Sequence, residues 1–338
     1  MENPIQKFVR PNILALQAYI SFRDTLPDGN YTLLDANENP FGTYNRYPDS
    51  TQKKLKQKLS EIKNIASSQI ALGNGSDELI DLIIKIFCEP KKDAIVVMNP
   101  SFAMYSFYAA INENGIIKLD LDSNFQLQKE EFLNKTKDSN AKILFLCLPN
   151  NLTGNSIEDL EFYIKNFEGI VVVDEAYIEF SDQQSILEKL NEFENLIVLQ
   201  TLSKARALAG LRIGMALSSA YIVSLINKTK APYNISEVNM KTPLHALENV
   251  DEYETRLQDI WVKKNILKEA FEKSSLIKKV YDSDANFFLV EVENCEAFYE
   301  DLIRAKILCS KRFPAIPNAL RINVGNAEEN QKLIQFLN

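Results

Sequence analysis

The chain has 338 residues, with 38 Lys and Arg against 46 Asp and Glu. Its formal charge of −8 excludes non-specific nucleic-acid binding driven by an excess of cations. Its 46% hydrophobic and 25% charged content is that of an ordinary globular protein, and its length predicts one large or two unequal folding units. The longest apolar runs, such as ILFLCL at 143–148, are far short of a membrane span. The opening MENPIQKFVRPN lacks a charged-then-apolar leader pattern, so a cytoplasmic location is expected. Cys88, Cys147, Cys295 and Cys309 are far apart with no CxxC pair, which favours free thiols over disulfides or a zinc site. A single histidine, His245, removes most histidine-based triads and metal centres, and no metal is expected.

The first thirty residues combine helical periodicity at Ile13, Leu14 and Leu16 with a PDGN turn signal at 27–30, and predict an arm with a short helix. LLDANENPFGTYNRYPDS (33–50) is irregular, because Pro40 and Pro48 break ladders and Gly42 favours a turn. Its aromatics Phe41, Tyr44 and Tyr47 favour a binding loop over a solvated linker. A Lys-rich amphipathic helix is expected over 51–64. IALGNGSDELIDLIIKIFC (70–88) then predicts a strand, a glycine turn and a helix. The free N–H groups at Ser76 and Asp77 suit either a cap or a bound phosphate.

After Pro90 come AIVVM (94–98), IIKLDL (116–121), KILFLCL (142–148), GIVVVD (169–174) and LIVLQT (196–201). These strand-like runs, most of them nearly continuous in apolar residues, are separated by helices over 101–114 and to about 166, and signal a mostly parallel sheet covered on both faces. Ligands of such sheets lie at the carboxyl ends of the strands, where Asn99, Asn151, Asp174 and Ser203-Lys204 fall. Beyond Gly214 the pattern predicts a strand, a helix, the segment APYNIS (231–236), and one long polar helix to about 274. Alternating strands and a helix lead on to ALRINVG (319–325). The expected fold class is α/β: a large α/β/α domain with a mostly parallel sheet over 41–235, and a smaller α+β domain over 236–338. An arm over 1–40 is expected to join the small domain.

Several polar groups at those strand ends carry chemistry. A lysine at a buried strand end, as Lys204 is, can form a Schiff base with a carbonyl. Asp174 ends a run of four apolar residues and needs a cationic or hydrogen-bonding partner; a pyridinium nitrogen, a helix cap or a salt bridge would each serve. Tyr177 suits either a donor to a ring phenolate or an ordinary half-buried tyrosine. Arg212 and Ser203 suit a phosphate, with Ser76-Asp77 adding backbone donors, or Arg212 a surface ion pair.

Six blocks decide among these readings: DANENPFG (35–42), GNGSDE (73–78), PNNLTG (149–154), DEAYIEF (174–180), TLSKARALAGLRIG (201–214) and LRINVG (320–325). In order and spacing they resemble the motif set of the fold-type I pyridoxal-phosphate aminotransferases. DANENPFG followed by RYPD (46–49) narrows the likeness to the histidinol-phosphate aminotransferase group. The resemblance implies pyridoxal 5'-phosphate as cofactor, with Lys204 as Schiff-base lysine and proton shuttle, and Asp174 on the pyridinium nitrogen. It puts Asn151 and Tyr177 on the ring hydroxyl, and Phe102 stacked on the ring. The phosphate falls to Ser76, Asp77, Ser203, Arg212 and, from a second subunit, Tyr47.

On the substrate side it implies Arg321 for the glutamate carboxylate, Arg312 for the substrate phosphate, and Tyr19, Asn37, Tyr105, Tyr233 and Asn286 around them. Implied too are a homodimer with a shared site, and transamination of histidinol phosphate with 2-oxoglutarate in histidine biosynthesis. Three departures from the motifs are visible: Leu152 replaces a proline, Arg206 an aromatic or small residue, and LCSKRF (308–313) a Val-Arg-Asp-Arg pattern. The last leaves an aromatic or broad-specificity aminotransferase, or a phospho-amino-acid decarboxylase, as the alternative. A pyridoxal-phosphate-binding regulatory protein without turnover would not need Lys204, Asp174, Tyr177 and both arginines. A nucleotide-binding protein would need the GxGxxG spacing or Walker lysine that GNGSDE lacks.

Overall fold

The structure is a computed structural model describing residues 3–27, 29–312 and 315–338. Strands β1 (Ile70–Asn74), β2 (Ala94–Asn99), β3 (Gly115–Asp120), β4 (Ala141–Cys147), β5 (Ile170–Asp174), β6 (Leu196–Thr201) and β7 (Ile213–Ser218) form one sheet, in the order β1-β7-β6-β5-β4-β2-β3. The pairs from β3 to β6 are parallel, whereas β7 runs antiparallel to both of its neighbours. The 202–212 connection is too short for the crossover that a parallel pair requires, so the chain turns back after β6 and leaves Lys204 on that turn.

Helices α1 (Pro11–Ala15), α2 (Lys53–Lys63), α3 (Ser76–Phe87), α4 (Met104–Ile111), α5 (Lys129–Thr136), α6 (Leu160–Lys165), α7 (Ala220–Thr229), α8 (Glu237–Glu248) and α9 (Val250–Lys273) surround this sheet or leave it. Side chains alternate along each strand, so β5 and β6 are apolar on both faces. Val171, Val173, Leu196 and Val198 face one core with Leu55 and Leu59 of α2. Ile170, Val172, Ile197 and Leu199 face the other, with Leu79, Ile83 and Ile86 of α3 and Ile222 and Ile226 of α7.

Two boundary expectations need correction. The first residues join the large unit and not the small one: Ile5, Val9 and Ile13, spaced to form one apolar stripe, are buried in the α3–α7 core. Arg10 anchors them through Glu89 and the Lys85 carbonyl. The long polar helix is broken at Asn249. Met240 and Leu247 of α8 enter the large core, so that unit extends past residue 235.

From α9 the chain enters a sheet of β8 (Ile277–Val280), β9 (Phe287–Val292), β10 (Ser310–Lys311) and β11 (Ala319–Asn323), antiparallel throughout, in the order β10-β11-β9-β8. Helix α10 (Cys295–Arg304) and a C-terminal helix, α11 (Ala327–Leu337), pack on it with the end of α9, burying Leu267, Phe271, Leu302, Leu333 and Leu337. Sequence reading missed α11. Its signals are the Asn326–Glu329 capping box and the Leu333–Leu337 spacing.

Candidate active site

The carboxyl ends of β4, β5 and β6, the turn into β7 and the start of α3 enclose a cavity of about 110 Å³. It is lined by Ser76, Asp77, Phe102, Cys147, Asn151, Asp174, Tyr177, Ser203, Lys204 and Arg212. Asp174 closes β5 and is almost fully buried. One carboxylate oxygen accepts the Tyr105 hydroxyl at 2.7 Å, and the other the Ala176 N–H at 3.1 Å. Burial pushes its pKa up in spite of those bonds and of the Lys204 charge. The Lys204 ammonium lies 5.3 Å from the centre of the Tyr177 ring. Burial, then the Arg321 charge, lowers its pKa, with Asp174 opposing. Burial likewise raises the Tyr177 phenol, whose ring meets Phe287 edge-on at 5.4 Å.

An anion cradle forms where α3 begins. Gly75 has φ +81°, and α3 starts without a side-chain cap, so its first N–H groups stay available to an anion. Gly214 of β7 presses on this turn: a Cβ there would come within 2.4 Å of the Gly75 carbonyl carbon and the Ser76 nitrogen. The Gly75 N–H donates to the Arg212 carbonyl at 2.8 Å, and the Arg212 guanidinium stays 3.4 Å from Asp77. Ser203 accepts from the Thr201 hydroxyl at 2.9 Å.

Two cavity neighbours differ from expectation. Tyr105, expected on the substrate side, is 1% exposed and stacked on Phe145 at 4.6 Å, beneath Asp174. Helix α4 begins only at Met104, so Phe102 reaches the cavity while Tyr105 turns into the sheet. Cys147, expected only as a free thiol, lines the cavity. Its sulfur accepts the Asn151 N–H at 3.2 Å, and burial with nearby Asp174 pushes its thiol up to about 12. Asn151-Leu152 is a trans peptide, whereas the bonds before Pro100 and Pro149 are cis.

The small sheet brings two arginines to the rim. Arg321 on β11 donates to the Asn151 side-chain oxygen and lies 5.1 Å over Phe287. Half-buried Arg312 is lowered to about 10 by burial and then by Arg321. The Nε of each is buried without a partner. Lys311 turns the opposite way, to Glu296 at 2.8 Å, while Phe313 lies outside the described residues. Asn286 sits on the loop before β9, its carbonyl bonded by the Val324 N–H at 2.9 Å.

Tyr19, Asn37, Tyr47 and Tyr233 do not line the cavity around Asp174 and Lys204. Tyr47 stacks on Tyr233 at 4.7 Å, and Tyr19 meets Tyr233 edge-on at 6.5 Å. Asn37, Tyr47 and Tyr233 line a separate pocket of about 590 Å³. The loop is pinned by Glu38, which accepts from Arg23 at 2.7 Å, Arg46 at 2.8 Å and the Tyr47 N–H at 2.5 Å. Arg23, with help from Arg46, holds its carboxyl down at about 2. Around it Phe22 (76% exposed), Leu34 (91%), Phe41 (83%) and Tyr44 (76%) face outward.

Known proteins share this architecture. The family model described as aminotransferase class I and II matches residues 23–337. Histidinol-phosphate aminotransferases of Parabacteroides distasonis and Flavobacterium psychrophilum are 43% and 44% identical to the chain, and each alignment covers 98% of both sequences. The crystal structure of histidinol-phosphate aminotransferase from Clostridium acetobutylicum has the same fold. Its TM-score is 0.79 at 24% identity, over 87% of this chain and 90% of that one. The Sinorhizobium meliloti enzyme, in complex with pyridoxal-5'-phosphate, matches with a TM-score of 0.78 at 22% identity, over 86% of this chain and 82% of that one.

Proposed function

Since the chain belongs to the class I and II aminotransferases, in the histidinol-phosphate aminotransferase group, we propose that it moves the amino group of histidinol phosphate to 2-oxoglutarate. The products are imidazole acetol phosphate and glutamate, in histidine biosynthesis. The observation that carries this reading is a single cavity with three unmet demands: a cation for buried Asp174, an electrophile for the Lys204 amine, and an anion for the α3 turn and Arg212. Pyridoxal phosphate, the cofactor of this family, meets all three. When bound it supplies an aldehyde carbon and a protonated ring that withdraws electrons.

The chain's own residues do the rest. Asp174 would keep the ring nitrogen protonated, with its carboxylate oriented by the Tyr105 hydroxyl. Asn151 and Tyr177 would hold the ring hydroxyl, and Phe102 would pack against the ring. Ser76 and Asp77 through their N–H groups, with Ser203 and Arg212, hold the phosphate. Lys204, with its proton loosened by burial and by Arg321, would take the proton from the substrate α-carbon and deliver it to the carbon that was the cofactor's aldehyde. Arg321 and Arg312, each with an idle Nε, take the carboxylate and phosphate of the two substrates in turn.

A second copy of this chain covers the exposed aromatic arm, and Tyr47 reaches the partner's phosphate cradle. Because Tyr47 stacks on Tyr233, Tyr19, Asn37 and Tyr233 travel with it to that shared site. A cytoplasmic location accompanies this reading, and no helix among the described residues is long and apolar enough to cross a membrane. Purified protein given histidinol phosphate and 2-oxoglutarate should form glutamate. No glutamate, with aromatic amino acids as good donors instead, would overturn the assignment in favour of an aromatic aminotransferase.

A further inference from the structure

Arg206, one of the departures noted above, lies just past Lys204 and has no part in the site as described. Its guanidinium carbon is 3.4 Å from the centre of the Tyr253 ring on α9, and its Nη2 is 3.4 Å from Glu179, just past Tyr177. Lys63 of α2 meets the same carboxylate at 3.4 Å. Beside this clamp Ala205, Tyr177, Phe180, Ala285 and Phe287 form a buried cluster, with Tyr253 packed against it. The lysine loop, the tyrosine loop, α9 and the small sheet therefore meet at one joint. Ala207, the next residue, has φ +55°, a left-handed conformation that a side chain disfavours and that lasts where its surroundings enforce it.

We infer that Arg206 is a positioning residue for Lys204 and Tyr177. Clamped between Glu179 and Tyr253, it holds the turn at Ala207 and so fixes where the amine and the phenol stand. The inference rests on the transaminase reading above. It is tested on the cofactor-loaded enzyme with R206A, R206K and R206A/A207G. The readouts are kcat, KM for both substrates, Tm, and the pH midpoint of the visible absorption of the Lys204-linked cofactor.

R206A should lower kcat about tenfold with KM changed less than about twofold, and should shift the pH midpoint. R206K keeps a charge for Glu179 but loses the planar stack on Tyr253, and should recover only part of the loss. Adding A207G should restore most of it, since glycine adopts the turn unaided. R206A with the wild-type kcat and pH midpoint, even with a lowered Tm, overturns the inference, and so does a double variant no better than R206A. A wild-type enzyme without visible absorption or glutamate formation overturns the transaminase reading itself, and the inference with it, before any variant is made.

Discussion

The cofactor cavity and the arm are built in opposite ways. Most groups around Asp174 and Lys204 hang close to the end of a buried strand or the start of α3, and two-sided packing fixes those ends within one chain. Among its described residues, the arm from Tyr19 to Tyr47 has almost no regular structure. It is held by the Arg23–Glu38–Arg46 cluster, and it points most of its large apolar side chains at solvent. Arg312 and Arg321 lie between these extremes, brought to the rim by the small sheet. One half of the site is built within the chain; under the proposed function the other would be completed by a partner chain or a substrate anion.

The contrast can be broken most sharply at Lys204. Lys204→Ala should reduce turnover by at least about 10³-fold and leave no pyridoxyl adduct by mass after borohydride reduction, while the intact cradle still binds the cofactor non-covalently. A surviving adduct would move the chemistry to another lysine. Next in size is a mixing experiment with Lys204→Ala and Tyr47→Ala chains, each nearly inactive alone. If Tyr47 serves the partner's site, every hybrid dimer regains one intact site and activity returns on mixing; a mixture as inactive as its components would make the arm a purely local structure. Arg312→Gln should raise KM for histidinol phosphate about 10–100-fold, the worth of a charge-assisted phosphate contact, and KM for glutamate by less. Equal effects on both would show that Arg312 does not discriminate.

The smallest effect concerns stability within the large unit, where the end of α7 meets the start of α2. The Lys230 ammonium donates to Gln52 at 2.8 Å, and burial, then Lys56, lowers its pKa to about 7. Below that pH it is charged in both states, and the penalty of burying it is fully present. Between about 7 and the unfolded value of roughly 10.4 the folded protein binds fewer protons, so stability rises with pH. From pH 7 to 9 the wild type should gain about 1–3 kcal/mol that Lys230→Met does not. Parallel urea-denaturation curves for the two proteins across that range would contradict this.

The legible parts of the molecule were those in which one residue type has one reason to be present. An apolar run ending in Asp174 has to be a buried strand delivering a carboxylate, and the β6 run delivers Lys204 by the same logic. Tyr105 and Cys147 escaped because an aromatic and a thiol beside apolar residues read the same whether they fill a core or support a site. The packing side of Ile5, Val9 and Ile13 escaped as well, since an apolar stripe announces that it will be buried and not against what. The split at Asn249 carries no proline or glycine, and only the docking of α8 on α2 reveals it.

Gly214 carries no side chain, yet β7 presses on the Gly75–Ser76 turn through it. A survey of chemical groups would pass over it, and a survey of tolerated substitutions would stop there. Even alanine at that position would push the Gly75–Ser76 peptide aside, and with it the amides proposed to hold the phosphate. What the sheet provides at this point is a vacancy the size of one methyl group, and an inheritable change there would disturb the proposed anion cradle while leaving every named functional residue in place.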